Sequence, residues 1–531
     1  GAARGGFQPL DEAIAAGLRA EQRAEAQPVD PARFYAGPMA ECALDGALYA
    51  VPFLSDARAL YYHEDLLEAA GIPGAPADWD ALRDAAVRLT EREPSGALRR
   101  LGFAPNYGNS WLYLYSFLNG GSLLSADGRR ATLSSPQVVG ALSYMLQVYD
   151  ALGGQERVAA FQATFPGSSF DARAQELDPF LRRKVVMKID GNWFLRTLAE
   201  HGGELRFAVA PPPAPRGLPS VTWSGGFAFA VPTGARHPQQ AFELLRFLMS
   251  DQAVLLREQT EVRYAQSRGR SYLPMLQPMP HLNELLFQRL VQTDPNLSAR
   301  LKRAYLQFTQ LLPQARHRPV TPVGQLLWDE HVRATEQALR HQLSPLAALQ
   351  AAEGRVQAEL SRVHAPASDP VLPLRSIGAA LGALLAVLAG LLLRRTVKRV
   401  AALRGLEQQE AQAGYAFAAP WLLGFLVLLL GPLALSLLYS LCSYDVLHPP
   451  RFVGLRNYAA LLRDPLLHLA LANTAYMLLG LALNLIVSLG LALLLHGVSR
   501  GAAAYRALLY LPTVVPAVVS VFLWSLVMNL E

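Results

Sequence analysis

The eighteen residues SIGAALGALLAVLAGLLL, Ser376–Leu393, carry no charge and stop at Arg394 and Arg395. A helix needs about 20 mostly apolar residues to cross a bilayer, so residues 376–394 read as a first membrane span. The run also divides the chain. Before it, up to about Ala365, charged and apolar residues mix as they do in soluble domains; after it Leu, Ala, Val and Gly dominate. Three more runs of spanning length follow, at about Phe417–Leu441, Asn473–Leu495 and Ala507–Leu530. Any one could be a buried core helix. Four in succession predict an all-α membrane domain with about four transmembrane helices.

Arg394, Arg395, Lys398, Arg399 and Arg404 cluster behind the first span. Lys and Arg favour the cytoplasmic side, so 395–416 is expected as a cytoplasmic loop and the soluble half lies outside. Arg500 and Arg506 fall on the same inner side, whereas Arg451, Arg456 and Arg463, partly offset by Asp445 and Asp464, weaken the signal without reversing it. Between the halves, HAPASDPVLP (His364–Pro373) holds three prolines, so 366–375 is expected as an extended, semi-stiff spacer. Ahead of it, Ser344-Pro345 reads as an N-cap with Pro at the first helical position, and Leu349, Val356, Leu360 and Val363 as the apolar stripe of a closing helix.

At 531 residues the chain is too long for one core. Its net charge of +6 is modest for that length, with Lys only at 184, 188, 302 and 398. No basic stripe interleaved with aromatics appears, so a nucleic-acid partner is not expected. One cysteine in each half, Cys42 and Cys442, offers neither an internal disulfide nor metal-ligand spacing. His63-Glu64-Asp65 and Asp329-Glu330-His331 bring acidic and imidazole groups together, but in helix-like stretches without partner ligands, and are expected on solvated faces. No metal or other cofactor is expected. The chain opens at Gly1 without a charged-then-apolar leader and stops at Glu531 after an apolar run, which reads as a fragment at both ends.

The first half alternates helix and strand signals. Asp78 should cap a helix carrying Leu82, Ala86 and Leu89 on one face. Lys184–Met187, Phe207–Ala210 and Phe227–Val231 read as short buried strands, and a helix opens at His237. An α/β domain over 1–365 is predicted.

Ordered motifs add to this. Phe452-Val-Gly-Leu-Arg-Asn-Tyr458, Asn473-Thr474, Tyr505-Arg506 through Pro512, Pro516 and Trp524 resemble the N-terminal part of carbohydrate ABC permeases of the maltose and glycerol-phosphate type, over about 415–531. The resemblance implies bacterial ABC ATPase subunits and a second permease subunit as partners, in the cytoplasmic membrane. The family's ATPase-docking loop would follow the point where this sequence ends. Asn484 and Ser488 are polar groups within an apolar span; they read either as the solute path or as interhelical hydrogen bonding.

In the soluble half, Leu48–Phe53, Asp56–Tyr62, Asp78-Trp79, Gly120-Gly121, Lys184–Met187, Gly191-Asn192-Trp193, Pro211-Pro212 and Trp223–Gly226 follow one another. They resemble extracellular solute-binding proteins of carbohydrate ABC importers over residues 7–363, with one αβ section of the first lobe missing before Gly6. The resemblance implies a two-lobed, periplasmic-binding-protein-like α/β domain closing on its ligand by hinge bending. Sugar sites combine flat aromatics with polar groups. Trp193, Trp223, Gly225 and Gly226 fall on the family's cleft segments, with Asp56 and Arg58 as first-lobe polar contacts and Tyr107, Asn109 and Trp111 in a region lining the cleft. Each has a packing, turn or ion-pair alternative. The expected function is binding of a solute, a mono- or oligosaccharide ahead of a polyol or glycerol-phosphate, and its delivery to the fused permease. ATP hydrolysis would reside on a separate subunit. A membrane-anchored sugar sensor and a tethered glycoside hydrolase are the alternatives.

Overall fold

Alternation of side chains organises the soluble half around the strand Arg58–His63. In a strand, successive side chains point to opposite faces. Leu60 accordingly enters one hydrophobic core, while Ala59 and Tyr61 enter another. Met187–Gly191 and Phe207–Ala210 flank this strand, both antiparallel. The computed structural model describes residues 2, 5–21, 29–165, 177–203, 205–365, 370–444 and 449–497, with scattered residues between 501 and 524. The chain divides into two units, Gly1–Ala365 and Pro366–Glu531.

The first unit has two lobes. Cores on either face of the central sheet build the larger one, with helices Trp79–Leu89, Leu112–Leu118, Pro136–Ala151, Gly324–Leu339 and Pro345–His364 on one side. The smaller lobe gathers Leu10, Ile14 and Val51 with Val231, Phe242 and Leu282. Strand Val51–Ser55 belongs to it and pairs antiparallel with Gly226–Phe229.

Side-chain caps set the start of several helices. The Asp78 carboxylate accepts the Ala81 N–H at 2.9 Å, and the Ser344 hydroxyl accepts the Ala347 N–H at 3.2 Å with Pro345 at the first helical position. Leu349, Val356 and Leu360 are buried as expected, but Val363 is 44 % exposed because the helix ends one residue later, beyond the core. The strand expected over Lys184–Met187 starts only at Met187; Val185 makes a single bridge to Leu101. Neither acid–imidazole cluster lies on a solvated face. His63 is fully buried at the end of its strand, and in the second cluster Glu330 and His331 are buried while only Asp329 is exposed. The Glu330 carboxylate is held by Arg333 at 2.9 Å and Arg355 at 2.7 Å, which is what permits its burial. Both cysteines are free and buried, and burial pushes the Cys42 thiol up to about 12.

In the second unit, two helices among the described residues are long and apolar enough to cross a membrane, Leu406–Ser440 and Leu467–His496. The first expected span falls on the 28-residue helix Leu374–Ala401, and the fourth, 507–530, lies outside the described residues except at isolated positions. Residues 395–416, expected to join the first two spans, are largely helical. One helix continues to Ala401 and the next starts at Leu406, leaving a turn of four residues, because LEQQEAQA is rich in strong helix formers. The helix from Leu406 contains a π-helical stretch, Phe425–Leu430, between Gly424 and Gly431.

Candidate functional site

Sheet topology brings two chain crossings together, with the strand Ala315–Arg316 beside them. Residues between Val51–Ser55 and Arg58–His63 pass from the smaller lobe to the larger. Thr222–Trp223 pairs in parallel with Ala315–Arg316, and the chain then returns through Ser224-Gly225 to the strand Gly226–Phe229. These two crossings are bound to each other. The Thr222 hydroxyl accepts the Arg58 N–H and donates to the Arg58 carbonyl, both at 2.8 Å, and the Gly225 N–H donates to the Asp56 carboxylate at 2.6 Å. The Ala57 N–H donates to the Asn192 side-chain carbonyl at 3.2 Å.

Glycine is required at two of these points. Gly226 has φ +132°, and a Cβ there would lie 2.0 Å from the Leu54 carbonyl oxygen of the paired strand. At Gly191 a Cβ would lie 2.1 Å from the Trp193 ring, so only glycine lets that indole fold back over the strand end.

Arg58 occupies the middle of the crossings and is 5 % exposed. Its guanidinium lies 4.0 Å from the Trp223 ring centroid and 5.0 Å from that of Trp193. It forms an ion pair with Asp56, donates twice to Asn109 Oδ1 at 3.2 and 3.0 Å, and once to the Trp223 carbonyl at 3.3 Å. The planar cation is thus stacked on its faces and hydrogen-bonded at its edges, a geometry arginine supports and lysine does not. The Trp223 indole N–H is buried and has no partner among the described residues.

Beyond Trp223 the aromatic surface continues. Tyr113 stacks with Trp223 at 6.1 Å and with Trp328 at 6.1 Å, and Trp111 meets Trp328 edge-on at 5.3 Å. His331 lies under them, 4.7 Å from both Tyr113 and Trp328, and desolvation lowers its imidazole to about 4. Arg318 reaches 5.7 Å from Trp223 and 5.9 Å from Trp328, and stands 3.7 Å from Glu41. Burial raises the Glu41 carboxyl above its ordinary range, with the Arg318 charge pulling the other way.

A cavity of about 580 Å³ opens here, lined by Glu41, Tyr113, Arg318, Gln325 and Trp328. A second, of about 690 Å³, adjoins it at Pro319 and Val320 and extends to Gly37, Asp45, Phe117 and Asp127. Flat aromatic faces beside charged and amide groups can stack on apolar C–H surfaces while hydrogen-bonding hydroxyls.

Of the residues singled out from sequence, Asp56, Arg58, Asn109, Trp193, Trp223 and Gly225 form this one cluster, and Trp111 joins it through Trp328. Gly226 sets the backbone at its edge. Tyr107 stands apart: its ring packs with Phe161 and its hydroxyl donates to the Phe165 carbonyl at 2.6 Å. Tyr113, Trp328, Arg318 and Glu41 went unnoticed in the sequence. The usable signal was Trp328, a large aromatic beside, not on, the buried stripe Leu327, His331, Ala334 and Ala338. In the membrane unit, Ser488 donates to the Asn484 side chain one turn earlier, at 3.3 Å.

Comparison with known proteins agrees with this fold. Residues 1–254 match the family of bacterial extracellular solute-binding proteins. A binding protein of Brucella abortus (strain 2308) is 26 % identical over 322 residues, 58 % of this chain and 66 % of the relative. The ABC transporter permease protein YesP of Bacillus subtilis (strain 168) is 36 % identical over 116 residues of the C-terminal part, 22 % of this chain and 38 % of that protein. The chain therefore spans somewhat under two thirds of the binding-protein relative and well under half of the permease. Among solved structures, CpMnBP1 with mannobiose bound superposes with a TM-score of 0.52 at 22 % identity, covering 67 % of this chain and 80 % of that one.

Proposed function

We propose, from a chain that opens with a bacterial extracellular solute-binding domain and continues into a part homologous to ABC permeases, that the crossing cluster binds a mono- or oligosaccharide and that the loaded domain delivers it to the permease part of the same chain. One observation carries the reading. The guanidinium of Arg58, clamped by Asp56 and Asn109, holds Trp193 and Trp223 at the junction of the lobes, beside an aromatic-walled cavity of about 580 Å³.

Tyr113 and Trp328 line the cavity and supply stacking faces with Trp223 packed behind them, and Glu41 and Arg318 supply hydrogen bonds to hydroxyls. Asp56, Arg58 and Asn109 hold the hinge and the indoles in register, with Gly225 and Gly226 allowing the close backbone approach. Trp111 braces Trp328, while Tyr107 packs on Phe161 apart from the cluster. Because the crossings are both hinge and site, a ligand touching both lobes favours the closed form by its extra contacts there. In the membrane, four spans with the soluble domain on the extracytoplasmic side, Asn484 and Ser488 toward the solute path, a second permease subunit and separate ATPase subunits complete the importer. The protein is then a multi-pass component of a bacterial cytoplasmic membrane, and no chemistry is performed on the sugar.

Tryptophan fluorescence of the full chain in nanodiscs, titrated with mannobiose, maltotriose and their monosaccharides, tests the binding step. A saturable change lost in Trp223→Ala supports it; a response unaltered by that substitution removes the site.

A further inference from the structure

The proline-rich segment before the first membrane helix is hydrogen-bonded to the loop that joins the two long apolar helices. Helix Gly431–Ser440 is followed by strand Cys442–Ser443, which pairs antiparallel with Arg451–Phe452. On the other edge of Arg451–Phe452 lie residues 370–372. Phe452 N–H donates to the Pro370 carbonyl at 2.9 Å, Leu372 N–H donates to the Pro450 carbonyl at 2.8 Å, and Val371 stands opposite Arg451. The hairpin beneath is itself fixed: the Asn457 carboxamide donates to the carbonyls of Ser440 and Cys442, both at 2.9 Å, and the Tyr458 hydroxyl bonds Ser440 Oγ at 2.6 Å. Pro370 and Pro373 suit an edge position, since a proline there leaves no ladder donor missing.

We infer that this segment is a strap: it closes the hairpin as a third strand and pins the tether of the soluble domain to the outer loop of its own permease part. The inference rests on the delivery reading for its purpose but not for its geometry. The helix closing the soluble unit ends at His364 and the strap begins at Pro370, six residues on. At about 3.3–3.6 Å per residue, that leaves a leash of roughly 20 Å at full extension, against roughly 35 Å for an unpinned 366–375. Such a leash shortens the reach of the binding domain from its own permease part and makes delivery an event within one chain, with exchange between chains suppressed.

Val371 and Arg451 form a non-hydrogen-bonded pair with each other, because the ladder bonds between the two segments run from Phe452 to Pro370 and from Leu372 to Pro450. Such pairs bring Cα atoms to about 4.5 Å, which suits a disulfide. The test uses the full chain in membranes with Cys42→Ser and Cys442→Ser, carrying Val371→Cys with Arg451→Cys. The control pair is Val371→Cys with Leu462→Cys, at the end of the following helix. Mild oxidation should link the first pair at least tenfold faster than the control, read by mass spectrometry of the linked peptides. Equal rates, or no link, overturn the strap. Sugar uptake in cells holding the partner subunits should stay within twofold on linking; uptake that is lost on oxidation and restored by reduction means the strap must open and overturns its permanence. Should neither oxidised nor reduced chain import sugar, the delivery reading fails, and the linking ratio alone still decides the strap.

Discussion

Arg58 touches Asp56, Asn109, Trp193 and Trp223, so substitutions there discriminate charge from shape. Removing one partner of a buried ion pair costs on the order of 3–5 kcal/mol. Arg58→Ala should therefore lower the melting temperature of the soluble unit and abolish sugar binding. Arg58→Lys, which keeps the charge but loses the planar fork, should recover part of the stability while leaving affinity reduced at least tenfold by calorimetry; full recovery of affinity would reduce Arg58 to a bare cation. His63 and His331 make a second residue-scale prediction. Desolvation lowers both imidazoles to about 4, against about 6.5 in an unfolded chain. The neutral form is the one that folds, so stability is whole above about pH 6.5 and falls as pH drops toward 4, by up to roughly 3 kcal/mol for each. Melting of the protein should decline between pH 7 and pH 5, and His331→Phe should flatten that decline. A steeper slope in the variant would contradict the assignment.

At the scale of elements, backbone geometry makes the demands. Gly226→Ala places a methyl group 2.0 Å from the Leu54 carbonyl at a φ of +132°, so the strand pair 51–55/226–229 must distort. Lost thermal stability together with faster hydrogen exchange confined to those two strands is expected; an unchanged exchange pattern would remove the constraint. Ser344→Ala should cost about 1 kcal/mol through the uncapped Ala347 N–H, measurable as a small shift in the denaturation midpoint. Such caps were legible because one side chain and a spacing of three suffice. The turn Ala402–Gly405 was not, since the Arg and Lys residues that mark the inner side of a membrane do not say whether that side is loop or helix. The strap escaped notice for a related reason: its bonds are backbone to backbone, and Pro370 and Pro373 carry no mark of the strand they meet.

For the whole molecule, hydropathy separated the two units and ordered motifs indicated a two-lobed fold. Asp56, Arg58, Trp193 and Trp223 were readable because they belong to short motifs at the chain crossings. Trp328, Arg318 and Glu41 were not: they line the cavity beside that cluster from distant segments, and only the fold brings residues 41 and 318 to 3.7 Å. His63, Glu330 and His331 misled because a polar cluster in sequence carries no sign of the arginines or aromatic rings that make its burial tolerable. The central claim is that the aromatic cluster where the lobes meet is a sugar site. Isothermal titration of the full chain in nanodiscs, against a panel of neutral mono-, di- and trisaccharides that includes mannobiose, tests it most directly. At least one ligand should bind at micromolar Kd and be weakened at least a hundredfold in both Trp223→Ala and Trp328→Ala. No binding across the panel, or binding indifferent to both substitutions, would contradict it.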